Sequence, residues 1–258
     1  SEWQPGIRLG WALGARAYTW AAVSRAVRLP NRLDTDAAIR CPVAPELPGC
    51  PAGTARVVGN DDLDSEKLLA LEWGIRLWQG SRYSVDLALF DNHYDDLRST
   101  ELEGATPVDV AFANRLRGRG RGGELAMTWQ PRRDLNVALF YSHLDLEIAQ
   151  RSSTDPTTRS SIEGSNPENM GGFRIGWKPA PRWSADALLR VVDDLPFQDV
   201  PSYAELNLRL GFQVRPDLEL ALVGENLLDA HHPEFGTDTP ARIEVERAVL
   251  LQLHWSHR

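Results

Sequence analysis

Lysine is almost missing from this sequence. Lys67 and Lys178 stand among 28 basic residues in a chain of 258. The other 26 are arginine, and the net charge of −8 argues against nucleic acid as a partner. Long uncharged runs are missing too. No stretch without Asp, Glu, Lys or Arg exceeds ten residues, whereas a membrane-spanning helix needs ~20 mostly apolar ones. Cysteine is scarce, with only Cys41 and Cys50, which excludes a disulfide-dense scaffold or a multi-cysteine metal site. The chain opens on Ser1 with no signal peptide, as expected for a mature product or a fragment. Catalytic signatures are lacking as well: no Gly-x-Ser-x-Gly, no His-Glu-x-x-His and no phosphate loop. His93 and His143 have no Ser–His–acid spacing around them, so no enzyme is expected.

What the sequence does have is alternation. In Tyr203–Gln213 the residues Ala204, Leu206, Leu208, Leu210 and Phe212 are apolar, and Tyr203, Glu205, Asn207 and Arg209 between them are polar. A period of two marks a strand with one wet and one greasy face. The same pattern fits Leu69–Leu77, Tyr83–Phe90 and Trp183–Val191. Weaker versions occur at Ile7–Leu13, Tyr18–Ser24, Glu124–Trp129, Leu135–Ser142, Phe173–Trp177, Leu218–Glu225 and Val245–Trp255. Eleven antiparallel strands are therefore expected.

The connections alternate as strictly as the residues. Tight Gly-, Pro- or Asp-rich links at Gly14–Ala17, Gln79–Arg82, Pro131–Asp134, Pro179–Arg182 and Arg215–Asp217 take turns with long ones. A soluble β-sandwich has no reason to sort loop length by end, whereas an outer-membrane barrel has short turns at one rim and long loops at the other. Trp11, Trp20, Trp78, Trp129, Trp177 and Trp183 all lie close to a short link, and Trp255 lies near the chain end. Indole favours the membrane interface, so these seven are expected to form one lipid-interface girdle. Burial in a sandwich core is the competing reading, but it does not explain their clustering.

Several segments resemble the C-terminal half of TonB-dependent outer-membrane receptors. Trp20-Ala21-Ala22-Val23-Ser24-Arg25-Ala26-Val27-Arg28-Leu29-Pro30 resembles a W-x-x-x-S-R-A-x-R-x-P strand exit. Asp62-Leu63, Glu66 and the Glu72-x-Gly74-x-Arg76 run resemble a second segment. Phe90, Tyr94-Asp95-Asp96-Leu97, then Gly123-Glu124-Leu125, supply two more. Glu225-Asn226-Leu227-Leu228-Asp229 with Pro233-Glu234-Phe235-Gly236 resembles the family's late hairpin. The five occur in the family's order.

The resemblance implies an all-β fold: about 11 strands of a 22-stranded antiparallel transmembrane barrel, open in this fragment. On this reading residues 1–258 are the C-terminal half of the barrel, and the plug domain and N-terminal strands are absent. It implies energy-coupled uptake of a scarce nutrient, most often a ferric siderophore, across the outer membrane of a Gram-negative bacterium. The partners implied are the TonB energy-transducing complex, reached through the absent plug and TonB box, a small metal chelate, and outer-membrane lipid. No cofactor is implied. The alternative is a self-contained smaller barrel acting as a passive pore, adhesin or autotransporter translocator, which would need an even strand count. One departure is the ending: Ser256-His257-Arg258 follow Trp255, where the family closes on an aromatic residue.

Cys41 and Cys50 are expected to form a disulfide in the longest loop, worth ~2–3 kcal/mol on the chain-entropy model. Arg115, Arg117, Arg119 and Arg121 alternate along one strand face. With Arg25, Arg28 and Arg174 they would make a positive lumen suited to an anionic chelate. In the competing reading they pair with Glu72, Asp86, Glu124 and Glu205. His231 and His232 lie near Asp229 and Glu234. Adjacent residues on a strand point to opposite faces, so a solvated pair is expected there and no metal site.

Overall fold

In the computed structural model, residues 2–40, 54–103, 108–236 and 242–256 are described. Cys41 and Cys50 lie outside them. In chain order the strands are β1 (Gly6–Ala12), β2 (Ala17–Arg28), β3 (Ala38–Arg40), β4 (Thr54–Val58), β5 (Glu66–Gln79), β6 (Tyr83–Glu103), β7 (Val108–Arg132), β8 (Leu135–Gln150), β9 (Asn169–Ala180), β10 (Trp183–Val192), β11 (Tyr203–Arg215), β12 (Leu218–Glu225), β13 (His231–Pro233), β14 (Glu244–Glu246) and β15 (Ala248–Trp255). Two short helices, α1 (Arg32–Asp36) and α2 (Thr158–Gly164), sit in connections. No helix among the described residues is long and apolar enough to cross a membrane, which says nothing about a β-barrel.

Eleven of the strands form one continuous antiparallel path, β1-β2-β5-β6-β7-β8-β9-β10-β11-β12-β15. These are the eleven expected from alternation. Among the described residues, β1 pairs only with β2 and β15 only with β12, so the sheet is open at both edges. Hairpin neighbours pair in sequence because short polar links let each strand fold straight back. The turns carry their usual residues: Gly14 and Gly80 hold left-handed φ values of +98° and +54°, which glycine adopts at no steric cost.

Cross-strand registers sort the side chains into two faces. One rank runs Trp11, Thr19, Ile75, Leu87, Leu125, Tyr141. The adjacent rank on the other face runs Gly10, Trp20, Gly74, Ala88, Glu124, Ser142. The first face is apolar and open; Leu210, Leu222, Leu251 and Leu253 are all exposed on it, Leu251 by 77%. The sheet therefore does not wrap a core with its greasy side. Most of its buried apolar residues gather at the long-connection end instead: Val110, Leu116 and Ile148 on the long strands, Val192, Leu195, Val200 and Tyr203 from the end of β10 to the start of β11.

One expectation about the connections is corrected. The link between the fourth and fifth strands of the path is not a long loop. Pairing of β6 with β7 continues out to Glu103↔Asp109, across bulges between Tyr94 and Ser99. Asp96 takes a left-handed φ of 56° in this stretch, a conformation Asp tolerates, and the bulge lets the ladder resume beyond it. A bilayer-crossing strand needs about 9–11 residues. β6 and β7 have 21 and 25, so their far halves reach well past the band of exposed apolar side chains.

Candidate functional site

The polar face and the structures at its long-connection rim hold the chemistry. Down the polar face, basic and acidic side chains stand on neighbouring strands. Arg8 meets Glu72 at 3.1 Å, Arg190 meets Glu205 at 2.6 Å, Arg76 pairs with Asp86 and Arg209 with Glu219. Arg174 stands 3.9 Å from Asp186 with its side chain 68% exposed. Cross-strand pairing places opposite charges side by side, so this is a balanced ladder and not a one-signed positive surface.

At the rim, α1 is held by its own sequence. Asn31 Oδ1 accepts from Leu33 N and Asp34 N at 2.8 and 3.1 Å, and Asn31 N donates back to Asp34 Oδ2 at 3.0 Å. That reciprocal cap satisfies helix donors that otherwise lack partners. Asp34 is buried and bound by Arg98. Burial pushes its carboxyl up, but the Asn31 backbone N–H and the Arg98 guanidinium outweigh that and hold it below the usual range. Nearby, Arg28 meets Glu66 at 2.8 Å, and Asn114 bridges Asp64 and Asp96 backbone oxygens. The 29–65 connection is thereby tied to β6 and β7.

A second rim cluster centres on Glu101, whose side chain is 1% exposed. It accepts from Ser153 Oγ at 2.6 Å, Thr154 N at 2.7 Å and Thr154 Oγ1 at 3.0 Å, with Arg115 at 3.6 Å. Burial raises its pKa, but the Ser153, Ser99 and Thr154 donors bring it below the usual carboxylate value. The third cluster joins Arg190, Glu205, Glu234, Tyr203 and His232. β12 ends at Glu225, and Asn226 after it turns at φ 49°. Asn226 donates from its side chain to Val245 O and from its backbone to Asn207 Oδ1, both at 2.9 Å. The Asn226 of the late hairpin motif is thus a strand terminator and a tie to β14.

The expected arginine set does not converge. Leu69, His93, Arg119 and Glu147 form one cross-strand rank, and Leu69 belongs to the apolar face. Arg117 and Arg121 share the parity of Arg119, so all three point to that side, beyond the apolar band. Arg119 pairs with Asp91 at 2.5 Å, and Arg121 lies 3.9 and 3.8 Å from Asp145 and Glu147. Arg25 sits opposite Leu69, again on the apolar parity, and bonds Glu2 at 3.0 Å. Of the seven, Arg28 and Arg174 are on the polar face, and Arg115 lies 3.6 Å from Glu101 in the rim cluster. Parity within β7 carried the signal: Leu125, Met127 and Trp129 are odd-numbered like the three arginines, while Glu124 is even.

The tryptophans also divide. Trp11, Trp129, Trp177, Trp183 and Trp255 are exposed on the apolar face. Trp129 faces Tyr83, Trp177 faces Leu135 and Trp255 faces Leu218, each the first residue of its strand after a short turn. Trp20 and Trp78 belong to the polar face, a correction to the expected girdle. Trp20 lies opposite Gly74 under the Arg8 guanidinium, 4.3 Å from its ring centroid. A Cβ at Gly74 would come within 2.6 Å of the indole, so the glycine is what makes room for it. Trp78 faces Ser84, itself bonded to Thr128 at 2.8 Å. Nearness to a turn sets a residue's height along the strand, but parity sets its face.

Comparison with known proteins agrees with this geometry. A family model described as TonB dependent receptor-like, beta-barrel, matches residues 1–227. No curated protein matches the sequence. Among solved structures, the siderophore receptor PirA from Pseudomonas aeruginosa superposes with TM-score 0.66 at 18% identity, over 98% of this chain and 42% of that one. The siderophore receptor PiuA from Acinetobacter baumannii gives 0.70 at 17%, over 98% and 35%. The copper transporter OprC gives 0.65 at 16%, over 98% and 40%. The chain spans about two fifths of the length of the structures it matches.

Proposed function

The chain belongs to the TonB-dependent receptor β-barrel family, and from that premise we propose that it forms part of the wall of an outer-membrane receptor importing a scarce metal chelate. A ferric siderophore is the ligand class best supported, because solved structures of the same fold include siderophore receptors. The observation that carries the reading is the two-faced open sheet. Exposed leucines cover one face, ion pairs line the other, and short turns are gathered at one rim.

Each part of that arrangement has a physical role in a bilayer. The apolar face meets lipid and the polar face lines a lumen. Trp11, Trp129, Trp177, Trp183 and Trp255 sit at the periplasmic interface beside the short turns, where indole rings are favoured. The edges at β1 and β15 pair with strands contributed by the rest of a 22-stranded barrel, since unpaired backbone groups in hydrocarbon cost several kcal/mol each. A plug domain fills the lumen and carries the contact with TonB. Arg28 and Arg174 are the two arginines of the expected set positioned to meet an anionic ligand on the polar face.

The test is uptake in an outer membrane carrying the receptor. Iron-starved cells are supplied with ferric catecholate, hydroxamate or mixed-ligand siderophores, with TonB present or deleted. Uptake of one class that requires TonB is expected. Entry that ignores TonB, or entry of unrelated small solutes by simple diffusion, refutes the proposal in favour of a passive pore.

A further inference from the structure

The two histidines of the last connection part company. β13 pairs with β14, with His231 opposite Glu246 and His232 opposite Val245, and alternation sends the imidazoles to opposite sides. His231 is exposed, its side chain by 61%, with Nδ1 2.6 Å from Glu244 Oε2. His232 is 2% exposed, so the expected solvated pair holds for one residue and not for the other. Its ring stacks on Tyr203, with centroids 4.2 Å apart and planes 18° from parallel. Among the described residues, neither Nδ1 nor Nε2 of His232 finds a hydrogen-bond partner. Burying such a group without a hydrogen-bond partner carries a desolvation cost.

Two carboxylates face the same point. One ligand atom each from Glu205, His232 and Glu234 lies within 4.8 Å of the other two. Arg190 bonds Glu205 Oε2 at 2.6 Å and also Glu234 Oε1, and Asn207 Nδ2 donates to Glu205 Oε1 at 2.7 Å. One guanidinium against two carboxylates leaves the cluster a net negative charge beside an unpaired imidazole. The donors come from separate elements, Glu205 on β11, His232 on β13 and Glu234 just after it.

We propose that Glu205, His232 and Glu234 bind a divalent transition cation of the zinc type, which fastens the last connection to the inner wall of the sheet. One nitrogen and two oxygen donors suit zinc and its neighbours. Calcium and magnesium prefer oxygen ligands alone, and monovalent copper prefers sulfur. Bonds of about 2.0–2.2 Å require ligand atoms within about 4 Å of one another, so small side-chain rotations close the present spacing. Water completes the coordination. The cation is structural and distinct from any transported chelate, because two of its ligands are held in place by Arg190 and the third is buried against Tyr203.

The experiment uses the whole receptor that contains this chain, purified from outer membranes in detergent, stripped with EDTA and titrated with zinc chloride by calorimetry. Hydrogen exchange is followed over 231–234 and 244–246. Stoichiometric zinc uptake is expected, with slower exchange in both segments. His232→Gln and Glu234→Gln should weaken binding by at least about 10–100-fold, since even partners outside the ligand shell are worth that much. His231→Gln should bind as the native protein does. Stoichiometry and zinc-dependent exchange in the native protein decide the matter even if a variant misfolds. The proposal is overturned if the native protein takes up no stoichiometric zinc, if His232→Gln binds equally well, or if exchange responds to acid pH and not to zinc. That last result would make His232 a protonated partner of the two carboxylates.

Discussion

Glu101→Ala should release the 151–157 segment from the sheet while leaving the lower barrel wall intact. The carboxylate is buried and accepts three hydrogen bonds from Ser153 and Thr154. Hydrogen bonds to a charged group contribute about 1.5–3 kcal/mol each, and an orphaned buried donor costs about 1–3 kcal/mol. Both hydroxyls can turn to water once the segment lifts, so the full sum is not expected. A local loss of about 2–4 kcal/mol is the reasoned figure, with Arg115 contributing little because it is half exposed. At about 1.4 kcal/mol per tenfold, amide exchange at Thr154 and at Leu102, whose N–H bonds Thr154 Oγ1 at 2.9 Å, should quicken by roughly 30- to 1000-fold. Exchange in β9 to β12 should not change, because local opening does not require global unfolding. Glu101→Gln, which keeps an acceptor oxygen, should fall between. The pH dependence follows from sign. The folded carboxyl titrates below its ordinary 4.5, so its stabilisation is complete above that value and is lost as pH falls through the folded pKa. Unchanged exchange in Glu101→Ala, or a segment that tightens on acidification, would refute the reasoning.

Three further outcomes are expected. Brominated lipids labelled at shallow depth should quench Trp11, Trp129, Trp177, Trp183 and Trp255 in the membrane-embedded receptor, but not Trp20 or Trp78; equal quenching of Trp20 would place it on the wrong face here. Residues 1–258 expressed alone should aggregate or stay unfolded, giving no heat-modifiable band, because among the described residues the outer edges of β1 and β15 have no partners; a closed monomeric barrel from this chain would contradict that. Cys41 and Cys50 should appear cross-linked in unreduced peptide maps of envelope-purified protein, and free thiols at both positions would dismiss the disulfide.

The eleven-stranded path was legible because period-two alternation depends only on neighbours in sequence. Leu206, Leu208 and Leu210 alternate with Asn207 and Arg209 wherever the strand is placed, and a one-residue slip would bury the wrong face. Even the facing of Arg117, Arg119 and Arg121 was countable from Trp129 backward. A basic run suggests a lumen, but parity places it on the apolar side. The same count would have separated Trp78 from Leu77. The extension of β6 and β7 was harder to see. Gly118, Gly120, Gly122 and Gly123 look like loop residues, yet three of them relieve crowding between paired strands: a Cβ at Gly118 would lie 2.7 Å from Ile148 Cδ1, one at Gly123 would lie 2.7 Å from Leu89 Cδ2, and one at Gly122 would come closer still to His143 O.

What the sequence determined by itself was therefore local and periodic: strand type, strand number, the two chemical faces and the alternation of turn lengths. What only the tertiary structure decided was which distant residues meet. Nothing in the spacing of Glu205 and His232 announces that β13 brings them together, or that Glu101 finds its donors in the 151–157 segment. Those contacts depend on how each long connection folds back over the rim, and that path is set by a few cooperative ties such as the Asn31 cap and Asn226. Hydrophobic alternation specifies a surface, whereas a site needs the chain to return to one point from far along its length. The entropy of that return is offset by packing that no single stretch of sequence contains.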